Sequence, residues 1–476
     1  MGSKLDFLKI KRKEKEARPI KVRANDYNEI YLTPKEEDIS EQSQRCMECG
    51  TPFCHFSCPL GNYCVEWHDF IRNGNWEQAF AVLEETNNFP EFTGRLCPAL
   101  CEGGCVLGIN DSPVTNKNVE LFLAEKAWQE GWIKPQPPKS RTDKKIAIIG
   151  SGPTGLAAAQ ELNRAGHHVV VFEKDDQIGG MLRYGIPDFK IEPEIIQRRV
   201  KQLEAEGVEF CLSTEVGVDY SITELEDEFT KIILAVGARK ARDLPIAGNN
   251  LQGIYYAMDF LTEQNKALTQ GEEPEITAQD KNVLVIGGGD TGADCVGTAV
   301  RQGAKEVYQI ELLEKPPEDR SADNPWPEYP QTLKVNSSHK EAEKLTGQEM
   351  DQFRMWSVLS KEFIGDENGN VKKYRAKKIE WVKDETGEQK MKELDTEIEL
   401  DVDMVIIAIG FTGSKEESLI EELNIKTDSG RIETNQYQTS NSQVFAAGDV
   451  RKGPSLIVWA IQEGRKVAQI INQNLV

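Results

Sequence analysis

Eight of the ten cysteines in this 476-residue chain fall between positions 46 and 105. Cys46, Cys49, Cys54 and Cys58 are spaced C-x2-C-x4-C-x3-C-P, and Cys97, Cys101 and Cys105 follow as C-P-x2-C-x3-C. Thiolates are soft anionic ligands, and short turns between them let several reach one metal centre, as an iron-sulfur cubane requires. The proline behind Cys58, Pro59, is also a feature of two-cluster ferredoxin loops, in which that cysteine serves the other cluster. Two 4Fe-4S cubanes need eight ligands; these cysteines supply seven, and Cys64 is the nearest candidate for the eighth. Structural zinc is the rival reading, because C-x2-C with two later cysteines also describes a tetrahedral zinc site. Cys211 and Cys295 stand alone and read as small core residues.

A second kind of chemistry begins at "IAIIGSGPTGLAAAQEL", which sets Gly150, Gly152 and Gly155 as G-x-G-x-x-G between a β-branched run and an Ala/Leu-rich helical stretch. Such glycines permit a tight turn, close approach of backbone to a pyrophosphate, and helix packing, while the helix N-terminus favours the phosphate charge. Glu173 closes the next strand, 23 residues after Gly150, where a carboxylate takes a ribose hydroxyl. "VLVIGGGDTGADCV" repeats the pattern with Gly287, Gly289 and Gly292, 137 residues on. Two dinucleotide folds imply two dinucleotides and a hydride relay between them. "VFAAGDV" brings Gly448 and Asp449 to a strand end, and with "ILAVGA" (233–238) and "VIIAIG" (405–410) it completes a two-dinucleotide flavoprotein pattern.

The elements that must position these residues give an α/β architecture: an N-terminal helical iron-sulfur domain followed by two Rossmann-like dinucleotide-binding domains. "KPQPPKSRTD" (134–143) has the composition of an exposed linker. The expected division is 1–140 for the iron-sulfur domain, 141–250 for the first part of an FAD-binding domain, 251–415 for an NAD(P)H-binding domain, and 416–476 for the C-terminal part of the FAD-binding domain. Within it, 315–400 reads as an antiparallel meander or hairpin insertion. The length alone predicts roughly three domains at about 150 residues each.

Composition narrows the partners. With 57 Lys/Arg against 79 Asp/Glu the net charge is −22, which disfavours nucleic acid and anionic membranes. The longest apolar runs, such as Met404 to Ile409 and Leu456 to Ile461, fall far short of the ~18 residues that cross a bilayer. The first 19 residues lack a secretory pattern, and Asp6 stands where acylation at Gly2 would need Ser or Thr, so a cytoplasmic location with reduced thiols is expected. Residues 1–23 carry nine Lys/Arg and three Asp/Glu, which reads as a solvated or frayed end, or as a docking arm for an acidic partner.

Over essentially its whole length the chain resembles the glutamate synthase small-subunit family, and the wider class of FAD-containing NADPH oxidoreductases with an N-terminal iron-sulfur domain, including the corresponding half of dihydropyrimidine dehydrogenase. "RCMECGTPFC", "TNNFPEFTGRLCPALCEGGC", "VIGGGDTGADC" and "NPWPEYP" carry the likeness. The resemblance implies FAD on the first fold, held by Gly150, Gly152, Pro153, Gly155, Glu173 and Gly180, with Gly448 and Asp449 near the flavin ribitol. It implies NADPH on the second fold, at Gly287, Gly289, Asp290, Thr291 and Gly292, with NADH as the alternative. In the related dehydrogenase one cluster takes an amide side chain, and the matching stretch here places Glu120 at that ligand position. The implied sets are Cys46, Cys49, Cys54 and Cys105 for one cluster, and Cys58, Cys97, Cys101 and Glu120 for the other.

Glu311, 24 residues after Gly287, suits an NAD ribose, whereas NADP calls for a cation, which Lys315 or Arg320 could supply. No side-chain acid or base is required for hydride transfer between stacked rings, so no catalytic dyad is expected. The implied function is an electron-input subunit that oxidises NADPH at FAD and passes electrons through two clusters to a large subunit, where glutamine and 2-oxoglutarate give glutamate. With Met-Gly-Ser at its start and three domains filling its length, the chain itself is expected to hold neither an amidotransferase nor an FMN barrel. The open alternatives are a related NAD(P)H reductase serving ferredoxin or another acceptor, and a zinc-stabilised assembly protein that senses redox state.

Overall fold

The computed structural model describes residues 6–475; Gly2, the residue of the acylation reading, lies outside the described residues. From Glu36 to Gln129 the chain forms short helices, chief among them Glu36–Ser43, Cys64–Arg72, Trp76–Thr86, Pro90–Leu96 and Asn116–Gln129. Cysteine-bearing turns and prolines interrupt them; Pro90 opens its helix, where a missing N–H has no helical partner to lose. Trp67, Leu83, Val119 and Leu123 share their core with Cys58, Cys64, Cys97 and Cys101. Thiols occupy places that aliphatic side chains would fill elsewhere, which couples the folding of this unit to metal binding. Glu48 (φ 53°) and Ala99 (φ 65°) are left-handed inside the C-x2-C and C-P-x2-C loops. A side chain resists that conformation, and here the reversal turns successive cysteines toward one point.

An exposed, irregular stretch over 134–143 leads into two parallel sheets of the same plan. The first has the order Val444–Ala446, Lys231–Leu234, Lys145–Ile149, His168–Phe172, Glu209–Cys211. The second runs Ile254–Tyr256, Met404–Ile407, Asn282–Ile286, Glu306–Ile310, Arg354–Met355. Both faces of each sheet are covered, which is why the central strands read as continuous apolar runs. Ile149 pairs with Phe172 and Leu234, and Ile286 with Ile310 and Ile407, so the strands of each sheet finish level and open a crevice beyond their carboxyl ends.

Three antiparallel strands, Val358–Gly365, Val371–Lys383 and Gln389–Asp401, form the expected meander. Phe363, Tyr374 and Ala376 pack it on Leu284, Ile286 and Val405 of the second sheet. The earlier part of that segment is instead irregular chain and the helix Ser337–Thr346. The helix Ile457–Leu475 lies along Pro153–Arg164 and sends Val458 into the core of the N-terminal unit.

Part of the basic arm is tied down within the chain. Arg12 pairs with Glu102 (2.8 Å), Lys13 with Asp38 (2.7 Å), Arg18 with Asp26 (2.6 Å) and buried Arg23 with Glu341 (2.5 Å). Lys9, Lys11 and Lys21 remain exposed. Among the described residues no helix is long and apolar enough to cross a membrane.

Candidate functional site

The two glycine loops are near copies. Gly150 (φ 103°) and Gly287 (φ 127°) have backbone conformations that favour glycine, and a Cβ on either would meet the carbonyl oxygen of Ala235 (2.5 Å) or Ala408 (2.2 Å). A Cβ on Gly155 or Gly292 would lie 2.0 or 2.1 Å from the carbonyl oxygen of Gly150 or Gly287. The middle glycines differ: a Cβ on Gly152 or Gly289 would meet nothing within 4 Å. This open cradle, against the N-termini of the helices that begin at Pro153 and Asp290, fits a pyrophosphate.

The acids at the strand ends repeat the likeness. Glu173 Oε2 accepts from Ser151 N (3.0 Å) and Oγ (2.5 Å), and Oε1 from Asp175 N (3.0 Å). Glu311 Oε2 accepts from Gly288 N (2.7 Å) and Oε1 from Leu313 N (3.1 Å). Each carboxylate is thus fixed beside its loop, where a ribose would lie.

A cavity of about 740 Å³ joins the two folds. Gly150, Gly152, Pro153, Glu173, Gly180 and Asp449 line it from the first fold, and Asp290, Thr291 and Asp294 from the second. Gly180 stands opposite Gly152, an added Cβ lying 3.2 Å from its Cα. Gly448 donates its N–H to Glu463 Oε2 (3.3 Å), which sets the turn carrying Asp449. Burial raises the Asp449 carboxyl above its usual range, and the Ser455 hydroxyl, donating at 2.6 Å, works against that rise. Lys190, from the first fold, is ion-paired with Asp294 across the cavity wall.

The cysteines divide into two cages. Cys46, Cys49, Cys54 and Cys105 line one, together with Cys64; Cys58, Cys97, Cys101 and Glu120 line the other. Cys64 lines the first cage and shares a core with Cys58, Cys97 and Cys101 of the second, so it stands in the wall between them. Glu120 is 5% exposed, unlike a helix-surface carboxylate. Its Oε1 accepts from Asn87 Nδ2 (2.9 Å) and from the Thr93 hydroxyl, which leaves Oε2 to face the cage. Burial pushes its pKa up to about 7. Burial likewise pushes the Cys46 and Cys97 thiols up to about 12. A bound metal reverses that tendency, because a coordinating thiol is deprotonated. Among the described residues no three of His, Cys, Asp or Glu converge closely enough for a single ion. The spread donor sets fit a cubane better than a mononuclear zinc.

Two candidates for a 2′-phosphate contact lie elsewhere. Arg320 donates to the carbonyl oxygen of Gly103 (2.9 Å), and Lys315 pairs with Asp351 (3.2 Å). The length of the irregular loop after Glu311 carries Arg320 to the N-terminal unit. The "NPWPEYP" stretch goes with it: Trp326 packs on Phe53 with ring centroids 4.6 Å apart, and Tyr329 Oη donates to Pro98 O (3.0 Å). Sequence reasoning missed this clamp, the supports Asn87 and Thr93, and Lys117 in the cavity wall. Asn87 and Thr93 lie among polar and charged neighbours such as Glu84, Glu85, Asn88 and Glu91, so nothing in the sequence sets them apart.

Comparison with known proteins agrees with this arrangement. Residues 23–132 match the family described as dihydropyrimidine dehydrogenase domain II, 4Fe-4S cluster; residues 144–336 and 357–464 match pyridine nucleotide-disulphide oxidoreductase. The chain is 45% identical to "Glutamate synthase [NADPH] small chain" of Mycobacterium tuberculosis, over 98% of this chain and 95% of that one. It is 44% identical to the protein of the same name from Bacillus subtilis, over 100% and 99%. It is also 46% identical to "Glutamate synthase [NADH]" of Schizosaccharomyces pombe, of which it spans 22%. Mycobacterium tuberculosis FprA in complex with NADPH shares the fold over 70% of this chain and 85% of that one, with a TM-score of 0.54 at 20% identity. With two glycine loops of one design in its two sheets and two cysteine cages before them, the chain belongs to the glutamate synthase small-chain family of oxidoreductases.

Proposed function

We propose that this chain is the electron-input subunit of a glutamate synthase, oxidising NADPH at FAD and passing electrons through two 4Fe-4S clusters to a large subunit that makes glutamate from glutamine and 2-oxoglutarate. The observation that carries this reading is a single cavity lined by the first glycine loop and by Asp290 and Thr291 at the head of the second loop's helix, and adjoining the Glu120 cage. When bound, the nicotinamide supplies a hydride, the flavin accepts it as an electron pair, and the clusters carry electrons singly. The chain's own residues provide the positioning. Gly150, Gly152 and Gly155 admit the FAD pyrophosphate, Glu173 takes ribose hydroxyls, and Asp449 orders the chain beyond them. Asp290 and Thr291 open the helix that receives the nicotinamide coenzyme. Cys46, Cys49, Cys54 and Cys105 ligate one cluster; Cys58, Cys97, Cys101 and Glu120 ligate the other.

Reconstitution tests the whole reading. The purified chain should hold about eight irons and one FAD, in line with two cubanes and one flavin, and with a glutamate synthase large subunit it should convert glutamine and 2-oxoglutarate to glutamate as NADPH is consumed. Reduction of ferredoxin or a dye without any glutamate in that mixture would mark a reductase for another acceptor, and a colourless zinc protein would end the redox reading.

Glu311 bears on the choice of coenzyme. Its charge suits a ribose hydroxyl and opposes a 2′-phosphate. Glu311→Gln keeps an oxygen for Gly288 N–H and removes the charge. The ratio of kcat/KM for NADPH to that for NADH should rise about tenfold, corresponding to ~1.4 kcal/mol of relieved repulsion and lost hydrogen bonding. Steady-state kinetics with both coenzymes measures it; an unchanged ratio removes Glu311 from the adenosine ribose.

A further inference from the structure

The wall between the large cavity and the Glu120 cage is thin. At two places consecutive residues face opposite sides: Leu96 lines the cavity and Cys97 the cage, and Ile457 lines the cavity and Val458 the cage. At a third place one residue faces both, and among the described residues it is Lys117 alone that lines the two spaces.

Its placement follows from the helix Asn116–Gln129. Lys117 is in the first turn and Glu120 stands three residues on, so both project from one face toward the cage. The Lys117 N–H donates to Glu102 Oε1 (2.9 Å), which fixes the start of the helix. Burial lowers the pKa of the Lys117 ammonium, and the nearby Cys97, Glu102 and Glu120 raise it, while Lys190 lowers it further.

We propose that Lys117 is a positioning residue for electron transfer, its ammonium lying between the flavin and the Glu120-side cluster and stabilising the electron on the cluster. This rests on the assignment of FAD and clusters to these two spaces. The transfer itself is simple in balance: one electron leaves the reduced flavin and reduces the cluster by one, and no bond to the protein forms or breaks. A cubane held by three thiolates and a carboxylate is already anionic, so each added electron meets repulsion. A fixed cation in a low-dielectric wall offsets that repulsion. Lys117 does not line the cage of Cys46, Cys49, Cys54 and Cys105, so its field is felt unequally by the two clusters.

The test uses the full chain loaded with FAD and iron, with Lys117→Met and Lys117→Arg. Redox titration followed by electron paramagnetic resonance for the clusters, and by absorbance for the flavin, gives the potentials without any turnover. In Lys117→Met the Glu120-side cluster should titrate lower, its reduction equilibrium at a fixed poise falling about tenfold, or ~59 mV for one electron. The other cluster should shift by less than half as much, and Lys117→Arg should restore the wild-type value.

Unchanged potentials in Lys117→Met, or equal shifts of both clusters, overturn the proposal, as does failure of arginine to restore the potential. Loss of about four irons from Lys117→Met with retention in the arginine variant also overturns it, since the cation then holds the cluster rather than tuning it. Wild-type protein lacking FAD or iron is a separate outcome: it refutes the cofactor assignment itself.

Discussion

A chain carrying Gly289→Val should keep its flavin and iron and lose reduction by NADPH, whereas Gly152→Val should keep its iron and lose the flavin. At both positions the backbone is extended, with φ −79° at Gly289 and −65° at Gly152, which valine adopts without strain. A Cβ there meets no protein atom within 4 Å, so the fold has room for it. The room is the space assigned to a pyrophosphate, and a branched side chain fills it. Displacing a bound coenzyme by an ångström or so costs on the order of 100-fold in hydride transfer, and exclusion costs more. Stopped-flow bleaching of the flavin by NADPH should therefore slow by at least ~100-fold in Gly289→Val, and the flavin absorbance should be absent in Gly152→Val. Gly155→Val provides the contrast, because its Cβ would lie 2.0 Å from the Gly150 carbonyl oxygen and the protein should fail to fold. Bleaching of Gly289→Val at the wild-type rate would place the nicotinamide elsewhere.

The second large effect concerns the eighth cluster ligand. Glu120→Ala should hold about four irons in place of about eight, while Cys64→Ser should keep about eight. The reason is the position of each side chain. Glu120 presents a free carboxylate oxygen to the cage of three cysteines, and Asn87 and Thr93 hold its other oxygen in place. Cys64 is buried in the wall between the two cages, in one core with Cys58, Cys97 and Cys101, and lines a cage that already holds four other cysteines. Glu120→Gln separates the two oxygens' roles, because its single amide oxygen turned to iron leaves an –NH2 facing the Asn87 donor, so its iron content should lie between those of Glu120→Ala and the unaltered chain. Flavin reduction by NADPH should survive in Glu120→Ala, and onward transfer to the large subunit should fall by at least about 100-fold for want of a carrier. Iron analysis decides the matter, and the reverse pattern, iron lost from Cys64→Ser and retained in Glu120→Ala, would exchange their roles.

Much of this site is legible in order along the chain because its parts are local. Gly150 to Gly155 with Glu173, and Gly287 to Gly292 with Glu311, each lie within one β-α-β unit, so spacing alone sets their geometry. The cysteine runs are local too, and the turns between them show in the C-x2-C spacing. Which cysteine serves which cage depends on helices that approach from distant segments, so the partition came from resemblance and not from spacing. Arg320 shows the limit most plainly: a cation placed soon after the strand is close in sequence, yet an irregular loop takes it to Gly103. The ion pairs of Arg12 and Arg23 were illegible for the related reason that their acidic partners, Glu102 and Glu341, lie far along the chain. Lys117 carries no motif at all; it matters because two cavities meet at its side chain.

The first sheet is finished by Val444–Ala446, and its helical cover by Ile457–Leu475, although its central strand is Lys145–Ile149. During synthesis the strand that opens this sheet emerges long before the one that closes it. Val458 belongs to the same late segment and completes the core around the cysteine cage. The flavin pocket and the Val458 side of the Glu120 cage therefore close only once this late segment has been made, whereas the cage of Cys46, Cys49, Cys54 and Cys105 is lined by early residues alone and can be complete sooner.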